Sequence, residues 1–385
     1  MNKTTMTPTL FQLDPPVWRY ARDPTETAAG LLPRRQLLVG DAVERLRELP
    51  TASVDCCVTS PPYYLLRDYG VDGQLGLEEN VEAWAANLLV VLSEVGRVLK
   101  PSGSLWLNLG DSYSRAEHYG APPKSLLLAP ERVVLKLVEQ GWALRNKVVW
   151  AKPNPMPHSV TDRLNTTHEF MYFLVRSQRY HFALDEIREP HRTSRSPSRA
   201  RPGKYGGTDR AWAGPLAGKN DGLVRAQAEG RSGHLLGRNP GDVWTLATGG
   251  YRGAHFATFP ERLITRPILA GCPERACQAC GTPWKRQVDA QVVGDKRPAG
   301  DDLFVRRYPG RWEVVRSLGK LLPACGCQAS WVPGVVLDPF FGAGTVGVVA
   351  EALKRDWVGI ELNPDYARLA VERIEAARAK QERAP

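Results

Sequence analysis

Residues 335–361, VVLDPFFGAGTVGVVAEALKRDWVGIE, constrain the fold more than any other stretch. An apolar strand runs into Gly342 and Gly344, a helix begins near Thr345, and a second strand ends in an acid, Glu361. Glycines let backbone approach a ligand closely, and a helix start offers free amides. Glu361, seventeen residues past Gly344, stands where a carboxylate accepts both hydroxyls of a ribose. An ordinary tight turn is the competing reading of a lone G-x-G, and the spaced acid weighs against it. The third glycine of the dinucleotide fingerprint is missing, which argues against NAD and for an adenosyl ligand without a pyrophosphate.

The rest of the chain repeats the alternation. From Gln36 a short apolar strand, a helix with Val43, Leu46 and Leu49 at spacing three, and the strand SVDCCV form a βαβ unit. A helix over Val81–Leu99 is closed by Lys100-Pro101-Ser102-Gly103 and followed by the strand SLWLNLGD. A helix is expected over Glu131–Gln140, a strand over NKVVWAKP, and a hairpin from EFMYFLVRS and RYHFAL. Such alternation implies a mostly parallel, doubly covered sheet with an antiparallel edge. Between Arg188 and Arg238 periodicity gives way to 11 basic residues, 4 acidic ones and nine glycines. This one stretch therefore carries +7 of the chain's net +10, a charge that suits a polyanionic partner.

The strand through Val54–Val58 ends in Thr59-Ser60-Pro61-Pro62-Tyr63-Tyr64. Two prolines fix φ and remove donors, so the strand stops there and holds something rigidly at its end.

With Ser60-Pro61-Pro62-Tyr63 and Asp338-Pro339-Phe340-Phe341-Gly342-Ala343-Gly344 both present, the chain resembles the S-adenosylmethionine-dependent DNA amino-methyltransferases, which methylate N4 of cytosine or N6 of adenine. His255-Phe256-Ala257-Thr258-Phe259-Pro260 resembles the family's third cofactor-side motif. The resemblance spans roughly 34–376 outside the basic insertion. Because the catalytic motif precedes the cofactor loop, the order matches the permuted β group; protein-glutamine methyltransferases, with the reverse order, are disfavoured. The implied fold is α/β, a class I methyltransferase-like (Rossmann-like) doubly wound sheet, circularly permuted, with a small zinc-ribbon-like insertion.

The resemblance assigns catalysis to Ser60, Pro61, Pro62 and Tyr63. An exocyclic amine is a poor nucleophile because its lone pair is delocalised into the ring. The Ser60 hydroxyl and Pro61 carbonyl would accept its two N–H bonds, stiffened by the prolines, while Tyr63 stacks on a base flipped out of double-stranded DNA. Tyr64 packs on that base or fills core. Cofactor contacts are assigned to Asp41, His255, Phe259, Asp338, Phe340, Gly342, Gly344, Thr345 and Glu361. Asp41 also reads as a helix cap with Glu44, and Asp338 as a residue that orients the loop itself. Asn108 and Asp111 are expected at the same sheet end. Serine at the head of the motif resembles the N4-cytosine enzymes; N6-adenine methylation is the alternative, and a DNA-binding module without chemistry the second.

Cys277-x2-Cys280 and Cys325-x-Cys327 supply four thiolates in two close pairs, a spacing that fits a structural zinc, with Cys272 spare. Disulfides are not expected in a reducing compartment. Arg192, Arg195, Arg199, Arg201, Lys204 and Arg210, interleaved with Tyr205 and Trp212, suit phosphate contact and base reading, against the plainer view of a basic linker. The expected divisions are an N-terminal extension over 1–33, a catalytic half over 34–188 and a target-recognition insertion over 189–245. A cofactor-side helix segment over 246–271, the ribbon over 272–330 and a cofactor-binding half over 331–385 complete the chain. No apolar stretch approaches the roughly 20 residues of a membrane helix, and MNKTTMTPTLFQLDPP lacks a signal peptide's apolar core. A cytoplasmic protein without membrane contact is expected, and the resemblance admits a cognate restriction endonuclease as a partner.

Overall fold

The computed structural model describes residues 10–13, 17–20, 34–157, 159–190, 237–249, 259–293 and 313–383. In chain order its elements are β1 (Leu10–Leu13), β2 (Val17–Tyr20), β3 (Gln36–Val39), α1 (Ala42–Arg47), β4 (Val54–Thr59), α2 (Val81–Val98), β5 (Leu99–Leu109), α3 (Ala129–Glu139), β6 (Ala143–Ala151), β7 (His168–Val175), α4 (Leu184–Ile187), β8 (Val243–Thr245), α5 (Glu261–Gly271), β9 (Ala276–Cys277), β10 (Lys285–Val293), β11 (Glu313–Leu322), β12 (Trp331–Val332), β13 (Val335–Asp338), α6 (Thr345–Ala352), β14 (Asp356–Glu361) and α7 (Pro364–Arg383).

Among the described residues one sheet runs in the order β1-β2-β3-β14-β13-β4-β5-β7-β6-β8. Its centre, from β3 through β14, β13 and β4 to β5, is parallel throughout. β7 is antiparallel to both β5 and β6, and β1 and β2 add an antiparallel pair at the other edge. Both faces are covered. Leu105, Leu107 and Leu109 of β5 join the core cluster formed with α1, α2 and α3, whereas Trp106 between them stacks on Phe173 at 4.2 Å, the two-residue alternation of a strand. α5 packs on β4, α6 on β13 and α7 on β14, and the α1–α3 cluster contains none of their residues. This is the doubly wound, mostly parallel sheet with an antiparallel edge that the pattern implied. No described helix is long and apolar enough to cross a membrane.

Two local expectations fail. Lys100-Pro101-Ser102-Gly103 does not separate helix from strand: α2 passes straight into β5 at Leu99, whose backbone is already extended. The irregularity is absorbed as a register shift between β4 and β5 at Val54/Cys56. RYHFAL forms no strand. β7 pairs with β6 instead, and Phe182 turns back to stack on Phe173 at 5.5 Å while the His181 amide donates to the Ser102 carbonyl.

The chain divides into two compact units, 1–183 with 241–285 and 323–385, and 184–240 with 286–322. The first holds the sheet. In the second, Glu189 and Arg238 exchange backbone bonds of 3.0 and 2.8 Å, β10 pairs with β11, and the Arg286 guanidinium reaches Glu186 at 2.8 Å. The segment between the cysteine pairs thus groups with the flanks of the basic insertion, while the cysteines stay with the sheet. Arg192, Arg195, Arg199, Arg201, Lys204, Arg210, Tyr205, Trp212 and His255 lie outside the described residues.

Candidate active site

In a parallel sheet all carboxyl ends share one edge, and ligands bind in the crevice there. β4 and β13 are neighbours, with Val336 opposite Cys56 and Leu337 opposite Cys57. Motifs some 280 residues apart in sequence therefore end side by side. A buried bond locks them: the Thr59 hydroxyl donates to Asp338 Oδ1 at 2.6 Å. The same oxygen accepts the Phe340 amide at 3.0 Å. Burial pushes the Asp338 carboxyl up to about 7, against the pull of those two bonds and with help from the Glu361 charge.

A cavity of about 340 Å³ opens at this edge, walled by Gly40 and Asp41 after β3, Ser60 and Pro62 after β4, Phe340, Gly342 and Ala343 after β13, Glu361 at the end of β14 and Asn363 beyond it. Asp41, Ser60, Pro62, Phe340, Gly342 and Glu361 are thus brought together. Asp338, Gly344 and Thr345 stand behind the wall: Asp338 is buried beneath the loop, and the Thr345 hydroxyl accepts from Arg373 at 3.3 Å. Phe259 is half-buried just before α5 and is not part of the wall.

Glu361 Oε2 accepts the Gly342 amide at 2.7 Å and Oε1 the Asn363 amide at 2.8 Å. The Gly344 amide donates to the Phe341 carbonyl at 2.9 Å. Both glycine amides are engaged within the protein, so this turn is no cradle for a pyrophosphate. Each Glu361 oxygen keeps lone-pair capacity for a hydroxyl, and burial raises its carboxyl above the ordinary range. Gly344 is required where it stands. Its φ is +76°, and a Cβ would lie 2.8 Å from that of Ala370. Asp41 Oδ1 takes the Val43 and Glu44 amides at 2.9 and 3.0 Å and so caps α1, while the residue also lines the cavity.

Ser60 also faces a second structure. Its hydroxyl donates to the Tyr63 phenol at 3.1 Å, and that phenol donates to Glu169 Oε2 at 2.8 Å. Glu169 Oε1 is paired with Lys152, and Asn108 Nδ2 donates to Oε2 at 3.2 Å. Tyr63, Asp111, Lys152, Arg163, His168 and Glu169 belong to the wall of another cavity of about 700 Å³, which Arg115 and Lys124 also border. The Tyr63 ring fits because residue 110 is glycine: a Cβ there would meet Cε2 at 2.8 Å. The proline turn is held by Trp84, whose indole N–H donates to the Pro62 carbonyl at 3.0 Å. Tyr64 is core, against Trp84 and Tyr119. Asp111 accepts the Leu128 and Ala129 amides at the start of α3.

Glu169 and Lys152 escaped the sequence reading. β7 runs antiparallel to β5, with Leu109 opposite Phe170, so the beginning of β7 lies beside the carboxyl end of β5. The signal was a lone acid opening an apolar strand, which acquires meaning only once that pairing is known.

Residues 54–277 and 329–372 match the model of the N6/N4 DNA methylase family. The chain belongs to this family of S-adenosylmethionine-dependent DNA amino-methyltransferases. It is similar to the Type II methyltransferase M.SfiI of Streptomyces fimbriatus, 45% identical over 394 residues and covering 88% of this chain and 90% of the relative. M.Cfr9I of Citrobacter freundii is 34% identical over 360 residues, covering 88% and 87%. Among solved structures, the PvuII DNA methyltransferase (cytosine-N4-specific) superposes with a TM-score of 0.51 at 16% identity, over 89% of this chain and 91% of that one; it supports the fold. The smaller cavity fits the family's cofactor: an acid with spare acceptors for a ribose, an aromatic wall from Phe340 and Tyr366, and a volume within the usual range of ligand sites.

The four cysteines converge as well. The Sγ atoms of Cys277, Cys280, Cys325 and Cys327 all lie within 4.8 Å of one another. β9 and β12 pair beside them, and the Gly281 amide turns back to the Cys277 carbonyl at 2.8 Å. Cys272 is buried elsewhere, its carbonyl accepting from Arg355.

Proposed function

We propose that the chain methylates N4 of cytosine in a nucleotide flipped out of double-stranded DNA, using S-adenosylmethionine. The observation that carries this reading is the position of Ser60, which belongs to the wall of the cofactor cavity and whose hydroxyl is bonded to Tyr63 on the wall of the larger one. The cofactor supplies a methyl group on a positive sulfur. Ser60 Oγ and the Pro61 carbonyl accept the two N–H bonds of the target amine, drawing its lone pair out of the ring. The Pro62–Trp84 bond fixes that geometry in advance, so no reorganisation is needed as the reaction proceeds. Serine rather than aspartate at residue 60 favours cytosine.

Tyr63 offers its ring to the displaced base, and Arg115, Lys124 and Arg163 around the larger cavity suit the strand that carries it. Arg192, Arg195, Arg199, Arg201, Lys204 and Arg210 serve DNA recognition. The Type II names of the relatives support a role beside a cognate endonuclease, and the location proposed for it is the cytoplasm. The cysteine cluster holds a structural zinc: tetrahedral bonds of about 2.3 Å put sulfurs about 3.8 Å apart, within the spacing found. Metal analysis of the purified protein should give one zinc per chain, and Cys327→Ser should abolish it.

Digestion of methylated plasmid to nucleosides and mass analysis tests the base. N4-methylcytosine is expected; N6-methyladenine as the sole product transfers the same site to adenine, and bound but unmethylated DNA leaves a binding module.

A further inference from the structure

We propose that Glu169 is a positioning residue of the methylation reaction, which acts through the Tyr63 phenol to fix the Ser60 hydroxyl as an acceptor toward the incoming amine. The inference rests on the reading of Ser60 as the acceptor.

Three donors converge on this carboxylate. Lys152 Nζ contacts Oε1; the Tyr63 hydroxyl and Asn108 Nδ2 contact Oε2 at 2.8 and 3.2 Å. An ammonium and an amide NH2 only donate, so residue 169 must present nothing but acceptors. The single phenolic proton of Tyr63 is thereby committed to Glu169. The phenol oxygen can then only accept from Ser60, which it does at 3.1 Å. Ser60 in turn has one proton, and it points at Tyr63. What Ser60 Oγ offers in every other direction is lone pairs. A hydroxyl without this anchor turns among its staggered positions and spends part of its time as a donor, the wrong polarity for an amine that must be drawn by acceptors. Consecutive bonds running toward an anion also polarise one another, which strengthens the terminal acceptor.

The same contacts say what an amide would do at residue 169. The Lys152 charge holds the Glu169→Gln oxygen at the Oε1 position, since the charge-assisted bond is the stronger one. The NH2 group then occupies the place of Oε2, facing two donors. It donates to the Tyr63 oxygen, the phenolic proton swings to Ser60, and the whole chain reverses. Removing Lys152 in that background frees the amide to turn its oxygen toward Tyr63 and Asn108.

The test measures turnover on DNA with saturating cofactor for the wild type, Glu169→Gln, Tyr63→Phe, Lys152→Met, Ser60→Ala and the double variants Tyr63→Phe/Glu169→Gln and Lys152→Met/Glu169→Gln, with the cofactor dissociation constant of each by calorimetry. Glu169→Gln should lower turnover about a hundredfold and leave cofactor affinity within twofold. It should add nothing on the Tyr63→Phe background, because the chain is already cut. Lys152→Met should restore at least tenfold of the activity lost in Glu169→Gln. A buttressing ion pair would predict the opposite, a double variant worse than either single one. Wild-type turnover in Glu169→Gln, a parallel loss of cofactor binding, or additivity with Tyr63→Phe would overturn the proposal. An unchanged rate in Ser60→Ala would instead overturn the reading on which it rests.

Discussion

The two cavities that meet at Ser60 are built in different ways. The cofactor side is centred on one local unit, to which β3 and β4 add Gly40, Asp41, Ser60 and Pro62: β13, its glycine turn and β14 lie within 27 residues, and Glu361 reaches back to the Gly342 amide of the turn that precedes it. Asp338 and Glu361 are buried and raised, and the Gly342 and Gly344 amides are closed within the protein. The target side draws single residues from four separate segments, Ser60 and Tyr63, Asn108, Lys152 and Glu169, joined by a chain of side-chain bonds. A site assembled locally is stiff on its own; one assembled from afar depends on every strand pairing beneath it.

That contrast separates the effects of substitution. Ser60→Ala, on the shared wall, should cost turnover about 100–1,000-fold, the usual loss for one preorganised electrostatic partner, while cofactor affinity stays within twofold. Equal losses in both would break the division. Glu361→Ala should do the reverse. It removes a carboxylate acceptor from the cofactor cavity, so the cofactor dissociation constant should rise about 10–100-fold with a smaller change in turnover at saturation. Gly110→Ala probes the target side without touching a polar group. The new Cβ would lie 2.8 Å from the Tyr63 ring, and displacing that ring should lower turnover about tenfold with cofactor binding unchanged.

The smallest effect concerns the bond that ties the two sides. Asp338 has a carboxyl raised by burial to about 7 in the fold, from an ordinary value of 3.8. A raised carboxyl favours the neutral form in the folded state. The stability this lends is complete below about pH 4 and is lost as pH rises through about 7. Asp338→Asn, which keeps an acceptor for Thr59 and Phe340, should therefore melt with the wild type at pH 4. By pH 8 it should melt roughly 2–4 °C higher. Identical differences at both pH values would mean that the carboxyl does not titrate in this range.

The same contrast sets how much was legible in the sequence. The strand, glycine turn, helix and acid of the cofactor half could be read directly, because each residue's partner lies within a few turns of chain. Of the two readings of Asp41, the cap for α1 is seen, and the residue also lines the cavity, since one oxygen of a carboxylate suffices for the cap. Ser60-Pro61-Pro62-Tyr63 announced a rigid strand end, but not that the Tyr63 phenol is tied to an acid more than 100 residues away. Glu169 became visible only through the antiparallel register of β5 and β7, and RYHFAL looked like the missing hairpin partner because aromatic content signals burial before it signals strand. Periodicity placed the elements; the pairing of distant strands chose the residues that share an edge.

The most direct test is a structure of the protein with the demethylated cofactor product and a duplex carrying its target site. A flipped cytosine is expected, with N4 at about 2.7–3.2 Å from both Ser60 Oγ and the Pro61 carbonyl and its ring against Tyr63. A base lodged away from Ser60, or an amine whose hydrogen bonds fall on other groups, would contradict the account.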